Sequence, residues 1–413
     1  MLDLAFMIIV LFVMVGLDVL MVLLTVGVKA ARSLRRSWCR NHFKRIEPAL
    51  EYYMITGEDQ PELDTLRPWK RDLFVSRLIV ERMVVLRGSG KEYLMRLADR
   101  LGLVDRYLKE ASSRGRWRRA RAAEYLGYFG GESSVGPLGE LLADSDETVR
   151  AVAARALARI GTQEAACLLA GTLGDPSELT RLRVTENLER IGRAAVEPLV
   201  EVLEGLPEAK EGRLHGPIHA AQVLGQLRAS EARLRLGDAV IRGKDVDLRA
   251  QAALALGKIG DPEDVPKLLA ACEDEASPVR AQAANALGMI GDVSSIPVLQ
   301  ELMLDQDWWV RLNASQALAN MGIVGERALA EVLEGPDRFA RQRAAATLEV
   351  RGVTRRIVGE LAAQDKRGER ARRMVRALIK TGATKYLKRL ARAMPEGENR
   401  RALRMMLAED IEP

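Results

Sequence analysis

Between Leu4 and Val28 nearly every position is apolar (LAFMIIVLFVMVGLDVLMVLLTVGV), and Asp18 is the one charge. At about 1.5 Å per residue the run predicts a helix able to cross a hydrocarbon core of about 30 Å. It exceeds the apolar stretch of a secretory signal, no basic residue precedes it, and no small-x-small cleavage site follows it. Residues 1–28 therefore read as a retained transmembrane anchor. The basic residues come after it: Lys29, Arg32, Arg35, Arg36, Arg40, Lys44 and Arg45. The positive-inside rule then places the N-terminus outside and the remainder in the cytoplasm, as a single-pass protein of the cell membrane. Lys29, Arg32, Arg35, Arg36 and Arg40 become candidates for contact with lipid headgroups. A carboxylate at mid-span costs about 2.5–3.5 kcal/mol. Asp18, beside Gly16, is therefore a candidate contact with another intramembrane helix, the alternative being a protonated Asp that the span tolerates.

Residues 29–112 read as a basic juxtamembrane segment and a helical neck. Two apolar helical stretches, Leu73–Val85 and Tyr93–Leu108, are split by Gly88 and Gly90, and 58–68 is polar enough for a loop.

From residue 113 onward the pattern repeats. The segment from Val149 to Gly161 returns from Leu248 to Gly260, from Val279 to Gly291 and from Val310 to Gly322. Weaker copies lie around Arg119, Arg181, Arg341 and Ala371, with a degenerate one from Pro217 to Arg228. Each unit predicts two helices. Val279, Ala283, Leu287 and Ile290 recur at helical spacing in the first, glycine ends it, and Asp261-Pro262 restarts the chain into a second with Val265, Leu268, Leu269 and Cys272 on one face. One such unit cannot bury its apolar face alone, whereas stacked units can. The predicted fold is all-α: a right-handed α-solenoid of about nine units over 113–413. Asp146, Asp245, Asp307 and Asp337 precede Arg150, Arg249, Arg311 and Arg341 by four residues, and Arg280 holds the same place in its unit. This register predicts a structural ladder in which Asp caps the helix and Arg pairs with an acidic group of its own or the adjacent unit.

Three departures from the repeat stand out. The period lengthens in the fourth unit near Gly205 to Gly212, a predicted protruding loop or bend. His215 and His219 follow, with no carboxylate or Cys to complete a metal motif. Trp308-Trp309 replaces Ser277-Pro278 of the preceding unit. Two adjacent indoles cannot share one helix face, so at least one is expected near solvent, where Trp serves as a binding anchor; the alternative is that both cover the seam between units. Arg370 to Arg392 form a basic run, either a solvated face or a surface for phosphate or acidic protein.

Composition sharpens this picture. Aromatics are only 4% of the chain, so the core is Leu, Val, Ile and Ala, which disfavours β-sandwiches and barrels. Three widely spaced cysteines suggest neither a disulfide framework nor a zinc cluster. The net charge of +6 conceals segregation: +11 over residues 29–121, −12 over 122–350 and +9 over 351–413.

The repeated segments resemble short HEAT-like repeats of the type found in phycobilisome lyases. With the apolar N-terminus, the layout is similar to bacterial membrane-anchored HEAT-repeat proteins, some of which accompany membrane glycosyltransferases. The resemblance implies a membrane-anchored cytoplasmic scaffold or adaptor that binds protein partners at or in the membrane, such as a multipass enzyme. A bilin-lyase-like enzyme and a nucleic-acid-binding array are the alternatives. No nucleophile with its base, phosphate loop or metal set is visible, and the acidic centre disfavours nucleic acid. The expectation is thus no catalysis, no cofactor, no small-molecule substrate and no nucleic acid.

Overall fold

The computed structural model describes residues 2–64, 73–86, 88–205 and 215–409; among them the chain is helical, without a strand. It divides into two compact units, Met1–Ala156 and Leu157–Pro413.

The first unit opens with one helix, Leu2–Thr56, that carries Pro48 inside it. Its C-terminal part buries Ile46, Leu50 and Tyr53. Tyr53 meets Tyr93 of the helix Ser89–Arg100, with ring centroids 6.1 Å apart. The stretch predicted as one helix over Tyr93–Leu108 is two, Ser89–Arg100 and Leu103–Ala111, because Gly102 turns the chain with φ 68°, a conformation that costs glycine nothing. Tyr107 is fully buried, donates to Ser76 Oγ at 2.7 Å and stacks on Tyr125 at 4.7 Å. Burial pushes its phenol up to about 12.

The predicted anchor is corrected here. Among the described residues no helix is long and apolar enough to cross a membrane. The apolar run lies at the start of the helix Leu2–Thr56. The helix then continues without a break through the basic segment to Thr56. The single-pass placement in the cell membrane, with the N-terminus outside and the array cytoplasmic, is overturned.

From residue 116 the described helices come as nine successive pairs, from Arg116–Phe129 with Val135–Leu142 to Lys366–Lys380 with Thr384–Ala393, and Glu398–Glu409 follows the last. In the second unit the first helices Val246–Ile259, Ser277–Ile290 and Trp308–Asn320 lie side by side. Their small residues permit close approach. A Cβ on Gly257 would fall 2.5 Å from Ala286 Cα, and one on Gly288 would fall 2.4 Å from Ala317 Cα. Because each of these first helices packs against the first helices before and after it and against the second helix of the preceding unit, burial extends around most of its circumference: Val279, Ala281, Ala283, Ala284, Ala286 and Leu287 are all buried. Gly260 ends its helix with φ 82° and returns its N–H to Leu256. Asp261 then caps the restart by accepting from Glu263 N–H at 3.0 Å.

Candidate functional site

The repeated Arg is anchored in one way throughout. Its Nη1 donates to the backbone carbonyls six and five residues earlier: Gly243 and Lys244 for Arg249, Asp274 and Glu275 for Arg280, Asp305 and Gln306 for Arg311, Gly335 and Pro336 for Arg341. This leaves Nε and Nη2 pointing at the next loop. Arg249 grips Asp274 there at 2.7 and 3.0 Å, and Arg280 grips Asp305 at 2.7 and 2.9 Å. In the first unit Arg119 holds Asp144 at 2.6 and 2.8 Å, while Arg150 reaches Asp144 O.

The capping aspartates are different residues. Asp146 accepts from Thr148 N–H, Asp245 from Leu248, Asp307 from Trp309 and Asp337 from Ala340. The rungs Asp144, Asp274 and Asp305 sit two residues before the cap position, and each also accepts the N–H two residues on. Sequence reading named the arginines and the caps but missed these rungs. The available signal was the second acid in Asp144-Ser145-Asp146 and Asp305-Gln306-Asp307. The hydrogen bonds from Arg119 hold the Asp144 carboxyl below its ordinary range. Burial works to raise Asp305, but Arg280 and the Asp307 N–H outweigh it and the carboxyl is held low.

A groove of about 390 Å3 opens on the first helices of four successive units. His215 and Ile218 line it from one, Asp247, Ala250 and Gln251 from the next, Pro278 and Gln282 from the third, and Trp309 from the fourth. Gln282 Oε1 is buried there without a partner. Asp247 is exposed and joins no ion pair among the described residues. His219 is half-buried and is not among the lining residues; burial holds its imidazole below its ordinary pKa.

Both tryptophans of the pair are exposed, Trp308 at 57% and Trp309 at 42%, packed edge to face with centroids 5.2 Å apart. Phe339, one unit on, is 61% exposed, and the Arg311 guanidinium lies over its ring at 5.5 Å. In a chain this poor in aromatics, three exposed rings on neighbouring helix starts form a distinct patch. Trp309 belongs to both the patch and the groove.

The other predicted residues are not brought to this surface. Gly16, Asp18 and Lys29 are exposed on the helix Leu2–Thr56, and a Cβ on Gly16 would meet nothing within 4 Å. The side chains of Arg32, Arg35, Arg36 and Arg40 lie outside the described residues. In the last helices Arg370, Arg373, Arg376, Lys380, Lys385, Lys388, Arg389 and Arg392 are exposed, whereas Arg372 turns in to the carbonyls of Leu361 and Ala363. Among the described residues no group of three or more His, Cys, Asp or Glu could hold a metal ion.

The chain matches the family of HEAT repeats over residues 104–189, 216–288 and 265–349, more than half its length. No curated protein matches it. Among solved structures it is similar to the karyopherin Kap121p bound to the SUMO protease Ulp1p, with 13% identity, 83% of this chain and 44% of that chain covered, and a TM-score of 0.50. Kap121p bound to Pho4p gives 12%, 85%, 46% and 0.49. An engineered protein gives 18%, 75%, 99% and 0.34. At these identities the likeness is one of fold.

Proposed function

The chain belongs to the HEAT-repeat family, and from that premise we propose that it is a protein-interaction scaffold whose first-helix groove takes a segment of a partner polypeptide. The observation that carries this reading is the set of exposed rings Trp308, Trp309 and Phe339, of which Trp309 also lines the groove. Exposed indoles give up much apolar area when covered, and Trp is the residue most enriched at binding hot spots. The karyopherin of similar fold is itself bound to another protein, which supports a polypeptide as the ligand. The groove supplies the rest of what an extended segment needs: Gln282 Oε1 as an unused acceptor for a backbone N–H, and Asp247 for a cation. The −12 of residues 122–350 favours a basic segment.

In this reading the chain is not an enzyme. Cys272 is buried, which pushes its thiol up to about 12, and burial raises Cys167 as well. Neither supplies a thiolate nucleophile at neutral pH.

The test places a photo-cross-linking amino acid at Gln251, in the groove wall, of the full chain in its native cells. The expected result is a discrete cross-linked polypeptide that disappears when Trp309→Ala is added, with circular dichroism unchanged. Cross-links indifferent to Trp309→Ala, or none, would overturn the reading.

A further inference from the structure

The ladder of arginines and aspartates is interrupted, and the manner of the interruption is informative. Where the fourth unit departs from the repeat, both partners are missing: Pro217 stands at the arginine position and Gly243 at the rung position. Where the rung is present, at Asp274 and Asp305, an arginine of the preceding unit fills it with two hydrogen bonds. The seventh unit matches neither case. Arg311 is kept, but Gly335, two residues before the Asp337 cap, stands where Asp274 and Asp305 stand in their loops.

Arg311 remains as firmly placed as its neighbours. Its Nη1 donates to the carbonyls of Asp305 and Gln306 at 2.6 and 2.9 Å, and its guanidinium lies over the Phe339 ring. The edge that would grip a carboxylate, Nε and Nη2, meets no acidic group among the described residues, and neither atom is buried without a partner. The fork is thus oriented, stacked on an exposed ring and open to solvent. Holding a guanidinium in advance removes the ordering cost that normally weakens surface ion pairs. A planar fork also suits a carboxylate better than a point charge does. Arg341, one unit on, has the same backbone anchor but no exposed aromatic floor.

We propose that Arg311, floored by Phe339, binds a side-chain carboxylate of the partner polypeptide, which takes the place of the aspartate that Gly335 replaces. The inference rests on the scaffold reading only in making the ligand a polypeptide. It adds the chemistry of the partner: a segment running from the groove past Trp309 presents a cation to Asp247 and then an acidic residue to Arg311. Neighbouring units hold the same pair internally, with Asp305 on Arg280 as the pattern for the bound state.

The test uses the full chain and fluorescein-labelled hexaglutamate, with hexaglutamine as the uncharged comparator, followed by fluorescence anisotropy at low salt. The expected result is preference for hexaglutamate, weakened about tenfold by Arg311→Lys, which keeps the charge and loses the fork. Gly335→Asp should weaken it at least as far while raising the melting temperature, because the new carboxylate closes the fork from within. Gly335 has φ −71°, which any residue adopts, and its Cβ would stand 3.2 Å from Val332 O, a gap that a shift of tenths of an ångström relieves. The double change Lys388→Gln and Arg389→Gln should leave binding unaltered. Equal binding of the two peptides, unchanged binding in Arg311→Lys and Gly335→Asp, or a loss confined to the Lys388 and Arg389 variant would each overturn the proposal. The two readings fail separately: the Gln251 cross-link depends on Trp309, and the hexaglutamate signal depends on Arg311.

Discussion

Asp305 shows how one side chain ties two units together. It takes two hydrogen bonds from Arg280 and one from the Asp307 N–H, with 9% of its side chain exposed. Losing the charge leaves a half-buried guanidinium without its partner, so Asp305→Asn is expected to destabilise the fold by about 2–3 kcal/mol in urea denaturation. The pH dependence follows from the direction of the shift. The folded carboxyl titrates below its unfolded value, so its contribution is fully present above the unfolded pKa of about 4 and is lost as pH falls through the folded value. The urea midpoint of the parent should therefore fall between neutral pH and about pH 3 by more than that of Asp305→Asn; equal falls would show that the rung carries no such linkage. At this scale sequence reading was half successful. The arginines and caps share one helix start and recur visibly, whereas the rungs pair across 25 residues to a loop whose partner lies in the preceding unit, a distance that local periodicity does not show.

The helix pair is the unit that periodicity reveals best. Its glycine stop and its Asp-Pro restart are both local rules, and the structure has both. The Trp308-Trp309 pair was also legible as an exception, since adjacent indoles cannot share a face. The groove was not legible, because its lining comes from four helices that meet only when the units stack. The contact between successive first helices was partly visible as runs of small residues. Its tightest points are Gly257 against Ala286 and Gly288 against Ala317. Gly288→Ala would raise helix propensity in isolation, yet the new methyl would fall on backbone that has no rotamer with which to yield. The net expectation is a loss of about 1–3 kcal/mol, read as a lower thermal midpoint. A stabilised variant would mean that the helices separate freely at that point.

For the molecule as a whole, stability in a repeat array is approximately a sum over units and the interfaces between neighbours. Within Leu157–Pro413 those interfaces are unequal. The tight glycine contacts Gly225 on Ala255, Gly257 on Ala286 and Gly288 on Ala317, and the rungs filled at Asp274 and Asp305, fall between residues 225 and 317. Beyond them the rung is missing at Gly335, and the last helices carry a dense row of exposed cations that repel one another. Unfolding should therefore start at the C-terminal end of this unit and reach its centre last. Hydrogen exchange should show slow amides in Val246–Ile259 and Ser277–Ile290, and faster ones in Lys366–Lys380 and Thr384–Ala393. Added salt should narrow the difference by screening the cationic end. Uniform protection across the unit would show that it opens only as a whole. The groove draws its walls from the stable centre, so the surface proposed to bind is the part of this unit that keeps its geometry before a partner arrives, and ordering it adds little to the cost of association.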